Sequence, residues 1–178
     1  NINRTLWMHA FNYSLINFDS YVGYSQNYYL YKGLSQQFQP ILWDLNMSFG
    51  GFRLTDATQA YFNGFDIPQA QNMDPLFFLN NNFLSPRPLI TNILNDTRHQ
   101  RMYLAHMRTI IEENFINQNY LSRGQYLQGL ISTHVQNDNN KFYSFNNFTD
   151  NLNTQVSITS SICPGISQLM DSRTTYLS

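Results

Sequence analysis

The chain has 178 residues, of which 42% are hydrophobic, 16% are aromatic and only 12% are charged, with a formal net charge of −1. A chain of this length can bury roughly 70% of the surface it exposes when unfolded, so we expect one domain with a substantial core rather than disorder. The near-neutral charge shows no electrostatic footprint for nucleic acid or an anionic membrane, which argues against polyanion binding.

Two further features of the composition limit the kinds of site. The single cysteine, Cys163, cannot form an internal disulfide, and it leaves too few cysteines for a zinc cluster. The sequence contains no apolar run of 18 or more residues, so no membrane-spanning segment is predicted. It begins at Asn1 without an initiator Met or a signal sequence, from which we expect that an upstream segment has been removed.

The first 50 residues predict one helix followed by a β-hairpin. Apolar residues at helical spacing predict a helix that starts near Leu6, with Asn3 as its cap, and ends near Asp19. Two short aromatic-rich runs, Tyr28–Tyr31 and Phe38–Trp43, flank a polar loop, which is typical of a hairpin.

Residues 51–87 show no sustained periodicity and contain several glycines and prolines, so we expect an irregular segment with a brief helical turn at Pro75–Leu79. Pro88 then begins a helix, and Asp96 caps the next one. This second helix is the clearest of all because it carries a continuous apolar stripe: Tyr103, Met107, Ile110, Ile111 and Phe115.

Three more helices are predicted, over Ser122–Val135, over Phe142–Val156 and after Pro164–Gly165. The order of elements predicts an α+β fold dominated by helices, with the short hairpin near the N-terminus. We expect a single domain over residues 1–178, divided into the helix and hairpin (1–50), the irregular segment (51–87) and a helical part (88–178).

Only two carboxylates, Asp19 and Asp44, occur in the first 55 residues, and both lie in aromatic-rich surroundings where a charge is costly without a partner. The predicted hairpin carries Asn27 at its entry and Asp44 at its exit, so we expect both on one side of a small sheet. Together with Asn46, these side chains form an oxygen-rich set of the kind that Mg²⁺ prefers. The alternative is that the acids and amides only close turns through their own backbone.

Several sequence blocks resemble the CotH kinase family, the spore coat protein H group of secreted, atypical protein kinase-like proteins. Three blocks agree in order and spacing: Asn17–Tyr21, Gln26–Tyr31 and Leu42–Gly50. Weaker agreement extends over most of the remaining chain, through Pro88–Leu94, Arg101–Tyr103 and Pro164–Arg173.

The resemblance implies the C-terminal lobe of a kinase fold that binds ATP with Mg²⁺ or Mn²⁺ and passes the γ-phosphoryl group to a protein Ser or Thr. It implies that Asp19 orients or deprotonates the acceptor hydroxyl, that Asp44 holds the metal, and that Asn27 completes the metal site. Asn46 is a further candidate metal ligand, and Arg53 is a candidate contact to a phosphate. It also implies an extracellular or cell-surface location.

A kinase also needs an N-terminal lobe to cover the phosphates. Nothing before Asn1 supplies one, so we expect this chain to be the C-terminal half of a longer protein and to be inactive in isolation. The missing lobe is therefore a predicted partner, together with ATP and a protein substrate.

The chain departs from the family pattern at two positions. Gln26, which we interpret as structural, stands where the family commonly has His, and Asn46 stands where it often has an acidic residue. These departures favour a second hypothesis, in which the chain is a noncatalytic surface or adhesion module of the same fold. The abundance of aromatic and amide residues leaves a third, a glycan-binding domain.

Overall fold

The computed structural model describes residues 1–53, 64–80, 86–158 and 161–178. Within these ranges the chain is mostly helical and contains two small antiparallel ribbons, which confirms the predicted α+β class. The helices are α1 (Ile2–Ser14), α2 (Ile67–Gln71), α3 (Phe77–Asn80), α4 (Pro88–Leu94), α5 (Thr97–Asn114), α6 (Asn119–Asn137), α7 (Phe145–Asp150) and α8 (Ile166–Leu177). The strands are β1 (Tyr28–Lys32), β2 (Phe38–Leu42), β3 (Val156–Ile158) and β4 (Ser161–Cys163).

Helix α1 differs from its prediction at both ends. Its cap is Asn1, whose side chain accepts a hydrogen bond from the Arg4 N–H at 3.2 Å, and not Asn3. It ends at Ser14 and not near Asp19, because the chain turns at Ile16, whose φ of 50° is left-handed. Ile16 and Phe18 are nevertheless fully buried, so the apolar pattern continues beyond the end of the helix.

The predicted hairpin is present. β1 pairs antiparallel with β2, with Tyr28 opposite Leu42 and Lys32 opposite Phe38. The ribbon is attached to the start of α1, where the Arg4 guanidinium donates to the side-chain oxygen of Gln39 in β2. The end of the ribbon that holds Tyr28 and Leu42 is the end that leads to the two acidic residues.

The segment predicted to be irregular contains more helix than expected. A capping box begins α2: the Asp66 carboxylate accepts from the Gln69 N–H at 2.7 Å, and the Asp66 N–H donates to the Gln69 side chain at 3.0 Å. Helix α3 confirms a short helical turn close to Pro75–Leu79. Within the predicted irregular segment, residues 54–63 and 81–85 lie outside the described residues.

Helices α4 and α5 follow the sequence prediction. Pro88 begins α4, and the Asp96 carboxylate caps α5 by accepting from the Arg98 N–H at 2.8 Å. The predicted apolar stripe of α5 is buried along its whole length and packs mainly on α1. No helix in the described ranges is both long and apolar enough to cross a membrane.

The predicted helix over Phe142–Val156 is wrong over most of its length. Only Phe145–Asp150 is helical, with Ser144 as its cap, and Val156 instead begins the ribbon of β3 and β4. The chain leaves the helix at Asn151, whose side-chain amide donates to the Pro164 carbonyl at 2.9 Å. This bond fixes the turn after α7 to the start of α8.

Helix α8 closes the core through a buried arginine. The Arg173 side chain is fully buried, and its guanidinium donates to four backbone carbonyls, those of Tyr13, Ser14, Ala70 and Met73, at 2.9–3.3 Å. Burial lowers the pKa of Arg173 to about 10, so the group stays charged at neutral pH. Arg173 therefore joins the last helix to the ends of both α1 and α2.

Candidate functional site

Asp19 lies in the turn between α1 and the β1–β2 ribbon, where its half-buried carboxylate is held by two side-chain amides. The Gln26 amide donates to Oδ1. The Asn27 amide donates to Oδ2 at 3.0 Å and also to the Asp19 backbone carbonyl at 2.7 Å. The structure thus brings together Asp19 and Asn27, two of the predicted site residues.

The loop that carries Asp19 is closed by its own backbone. The Tyr24 N–H donates to the Phe18 carbonyl at 3.0 Å, and the Ser25 N–H donates to the Ser20 carbonyl at 2.9 Å. The Ser20 hydroxyl also donates back to the Asn17 carbonyl at 2.5 Å. Because bonds on both sides of Asp19 fix the main chain, its carboxylate is presented from a rigid turn.

Asp44 follows directly on the far end of β2. Continuing the observed register by one pair places Asn27 opposite Trp43, so Asn27 and Asp44 leave the ribbon at the same end. The Asp44 side chain is exposed, and it makes no hydrogen bond in its own turn. Within the part of the chain that the structure describes, its carboxylate is engaged by no other side chain.

A second connection joins the two acidic loops. The segment after Asp44 folds back on the segment before Asp19, where the Phe49 N–H donates to the Leu15 carbonyl at 2.8 Å. The Gly50 N–H donates to the Ile16 carbonyl at 3.2 Å. The ribbon and this backbone contact together hold the Asp19 and Asp44 loops side by side.

Left-handed backbone is concentrated in these loops. Of the seven non-glycine residues with positive φ in the described ranges, five lie here: Ile16, Ser25, Asn27, Asp44 and Phe49. Asn and Asp adopt this conformation at low cost, whereas a β-branched residue such as Ile16 does not. Such strain costs of the order of 1–3 kcal/mol per residue and is found mainly at functional sites. The distribution makes this end of the ribbon the candidate site.

The side-chain oxygens at this end of the ribbon are of the kind that a hard cation binds. They would supply only part of its ligands, and water and phosphate would supply the others. No group of three His, Cys, Asp or Glu side chains placed to hold a metal occurs among the described residues. Asn27 uses Nδ2 to donate to Asp19, which leaves its Oδ1 as the atom suited to a cation. One carboxylate, one amide oxygen, waters and substrate phosphates are the usual ligands of Mg²⁺ in nucleotide sites.

Arg53 lies where the chain leaves the Asp44 loop, and its guanidinium contacts backbone carbonyls. Nε donates to the Phe65 carbonyl at 2.6 Å, and Nη1 donates to the carbonyls of Gly50 and Ile162 at 2.6 and 3.0 Å. Partial burial lowers the pKa of Arg53 from its usual value. These contacts give Arg53 a structural role, and its predicted contact to a phosphate stays a prediction.

Asn46 lies two residues after Asp44, in the short 3-10 turn Leu45–Met47. It lines a cleft of about 820 Å³ that lies between the Asp44 loop, α6, α7 and the β3–β4 ribbon, and Asp44 does not line this cleft. Most of the other lining residues are apolar, including Leu127, Ile131 and Phe148. The predicted metal contact of Asn46 also stays a prediction.

Sequence reasoning did not find the contact of Gln26 with Asp19, because an exposed glutamine carries no periodic or motif signal of its own. The available indications were its position directly before Asn27 and the His that the family commonly has at this position.

The model of the family described as CotH kinase protein matches residues 1–162, a span that includes the three sequence blocks and all the predicted site residues. No curated protein and no solved structure matches the chain.

Proposed function

Because the chain belongs to the CotH kinase family, we propose that it is the catalytic and metal-binding half of a protein kinase. The reaction is transfer of the γ-phosphoryl group of ATP to a Ser or Thr hydroxyl of a protein. The observation that supports this best is the pairing of Asp19 with Asn27 at the end of the ribbon from which Asp44 also emerges.

Asp19 acts on the acceptor. Its carboxylate is half-buried, and among the described residues its donors are the side-chain amides of Gln26 and Asn27, so spare lone pairs remain for a hydroxyl. In the transfer, the hydroxyl oxygen bonds to the γ-phosphorus while its proton passes to Asp19. The bond from the γ-phosphorus to the bridging oxygen breaks, and ADP leaves with that oxygen and its electron pair.

The ligands proposed for the divalent cation, Mg²⁺ or Mn²⁺, are the Asp44 carboxylate and the Oδ1 atom of Asn27. When bound, this cation neutralises charge on the phosphate oxygens, which is the main requirement of phosphoryl transfer. Asp44 suits this role because its carboxylate is exposed and engaged by no other described side chain. Asn46 and Arg53 are supporting contacts to the metal and to a phosphate.

The remaining partners follow from this assignment. An N-terminal lobe of the same protein covers the ATP phosphates, and a secreted or surface protein supplies the acceptor hydroxyl. We place the protein outside the cell or on its surface, as the family resemblance implies.

The test uses the protein that includes the N-terminal lobe, with Asp19→Asn, Asp44→Asn and the control Glu113→Gln on the exposed side of α5. We expect Asp44→Asn to abolish metal-dependent ATP binding, measured by calorimetry. We expect Asp19→Asn to keep ATP binding and to lower phosphoryl transfer by roughly 10²- to 10⁴-fold, the usual loss on removing a general base. Unchanged ATP binding and transfer in Asp44→Asn would refute the assignment.

A noncatalytic surface or adhesion module of the same fold is the second candidate. It is favoured by Gln26 and Asn46, the two departures from the family pattern. In that case the wild-type protein binds no ATP in the presence of Mg²⁺ or Mn²⁺, and Asp19→Asn leaves its attachment to cells unchanged. ATP binding by the wild-type protein, measured by calorimetry, therefore distinguishes the two functions.

A further inference from the structure

We propose that Gln26 is a positioning residue for the phosphoryl transfer, which holds the Asp19 carboxylate in the orientation that meets the acceptor hydroxyl. This inference rests on the proposed function and assigns to Gln26 a role in it that the family match does not supply.

The argument begins with the two oxygens of Asp19. Gln26 donates to Oδ1 from one side, and Asn27 donates to Oδ2 at 3.0 Å from the other. With one donor on each oxygen, rotation of the carboxylate breaks at least one bond. Each carboxylate oxygen can accept about two hydrogen bonds, so a lone pair remains on both for the substrate.

The backbone shows that the Gln26 side chain is directed towards Asp19 by its neighbours. Gln26 lies between Ser25 and Asn27, which both have left-handed φ values, of 59° and 54°. With this pair of conformations the chain is not extended at Gln26, and consecutive residues contact the two oxygens of one carboxylate. An extended chain would point successive side chains to opposite faces.

Core packing does not account for the contact. Gln26 is exposed, whereas Asp19 and Asn27 are half-buried, so the Gln26 amide covers the solvent side of the carboxylate. Fixing a free glutamine side chain costs up to about 2 kcal/mol of conformational entropy, which offsets most of the roughly 1.5–3 kcal/mol that a hydrogen bond to a charged group contributes. The contact therefore contributes little to folding, and its effect is on the orientation of Asp19.

The experiment compares three substitutions in the protein that includes the N-terminal lobe. Gln26→Met keeps the length of the side chain and removes the donor. Gln26→His keeps an N–H donor. Gln26→Glu places a second carboxylate against Asp19. The matched control is Gln37→Met, the same chemical change at an exposed position in the loop between β1 and β2.

We expect kcat to fall roughly 10- to 100-fold in Gln26→Met and further in Gln26→Glu, since small displacements of a reacting group have effects of this size. KM for ATP and the melting temperature should not change, because Asp19 contacts the acceptor and Gln26 is exposed. Gln26→His should recover most of the lost kcat, and Gln37→Met should match the wild type.

Three results would overturn the proposal: full kcat in Gln26→Met, a rise in KM for ATP that accounts for the loss, or a Gln26→His variant no better than Gln26→Met. Full kcat in Gln26→Met together with loss of transfer in Asp19→Asn would leave the proposed function standing. Absence of transfer in the wild type would end both proposals.

Side-chain NMR of the protein tests the contact without any activity. Asp19→Ala should shift the Nε2 amide resonance of Gln26, and the Gln37 amide should not move. An unshifted Gln26 amide would refute the positioning role even in an active enzyme.

Discussion

The Phe49 backbone N–H donates to the Leu15 carbonyl at 2.8 Å, which joins the loop after Asp44 to the chain that leads to Asp19. The next residue, Gly50, repeats the contact by donating to the Ile16 carbonyl at 3.2 Å. The relative position of the two acids therefore depends on two adjacent main-chain bonds as well as on the hairpin. A change that displaces this segment should disturb both folding and metal binding.

Gly50→Ala tests this dependence. Gly50 has φ of +72°, and an added Cβ would lie 3.2 Å from the side chains of both Leu169 and Pro164. We expect a loss of about 1–2 kcal/mol in the free energy of unfolding, from the left-handed backbone and the close contacts. Metal-dependent ATP binding should weaken as well, because the Asp44 loop moves. Urea denaturation and calorimetry measure the two effects.

The control for this change is Gly129→Ala in α6, where an added Cβ has nothing within 4 Å. Removing a glycine from a helix interior should stabilise the protein by up to about 1 kcal/mol and leave ATP binding unchanged. Equal effects of the two substitutions on ATP binding would contradict the role assigned to the Gly50 segment.

Arg173→Met should destabilise the chain by about 3–5 kcal/mol, measured by chemical denaturation. The substitution keeps much of the buried volume but leaves four backbone carbonyls without their donor, and unpaired buried polar groups carry a large penalty. Arg101→Met on the exposed side of α5 should change the stability by less than about 0.5 kcal/mol. A loss for Arg173→Met as small as that of the control would show that the carbonyls find other donors.

His9 should make the stability depend on pH below neutrality. Burial lowers the pKa of His9 to about 4, from a usual value of 6.5, and the ring contacts the Leu89 carbonyl through Nε2 at 3.0 Å. The unfolded state therefore binds a proton at a higher pH than the folded state. The contribution of neutral His9 to the free energy of unfolding is complete above pH 6.5. It is lost as the pH falls from there towards 4, and the total loss is about 3 kcal/mol.

The variant His9→Gln keeps an N–H donor for Leu89 and does not titrate. The difference in melting temperature between wild type and variant should be constant above neutral pH and shift against the wild type as the pH is lowered to 4.5. A difference that stays constant over this range would mean that His9 has the same pKa in the folded and unfolded states.

Metal binding should depend on nucleotide. Among the described residues no three His, Cys, Asp or Glu side chains are placed to hold a metal, so Asp44 and Asn27 leave most coordination positions to water and phosphate. We expect Mn²⁺, followed by electron paramagnetic resonance, to bind more tightly after ATP is added, and a chelator to release the nucleotide. Tight Mn²⁺ binding without ATP would point to a different ligand set.

The elements that the sequence predicted well are those whose signals are local. Asp96 and the apolar stripe that follows it lie within one helix, so α5 could be read from one segment. The end of α1 could not be predicted from one segment, because the buried residues Ile16 and Phe18 continue the apolar pattern after the backbone has left the helix. The β3–β4 ribbon has three residues in each strand and is defined by pairing, which a window of sequence does not contain.

The same distinction holds at the candidate site. The sequence placed Asp19 and Asn27 in one candidate site at the ends of neighbouring elements, but it did not predict the hydrogen bonds between them. The bonds of Arg53 to the carbonyls of Phe65 and Ile162 involve distant main-chain atoms, which no side-chain pattern indicates. Sequence order thus identified the acids and amides, but not the contacts that hold them.

The family match ends at residue 162, whereas Arg173 lies in the helix after it. The carbonyls at the ends of α1 and α2 therefore bond to a side chain supplied from outside the matched stretch. A truncation designed on the family boundary would remove that side chain and leave the carbonyls of Tyr13, Ser14 and Ala70 without it. Expression and crystallisation work should retain the whole of α8.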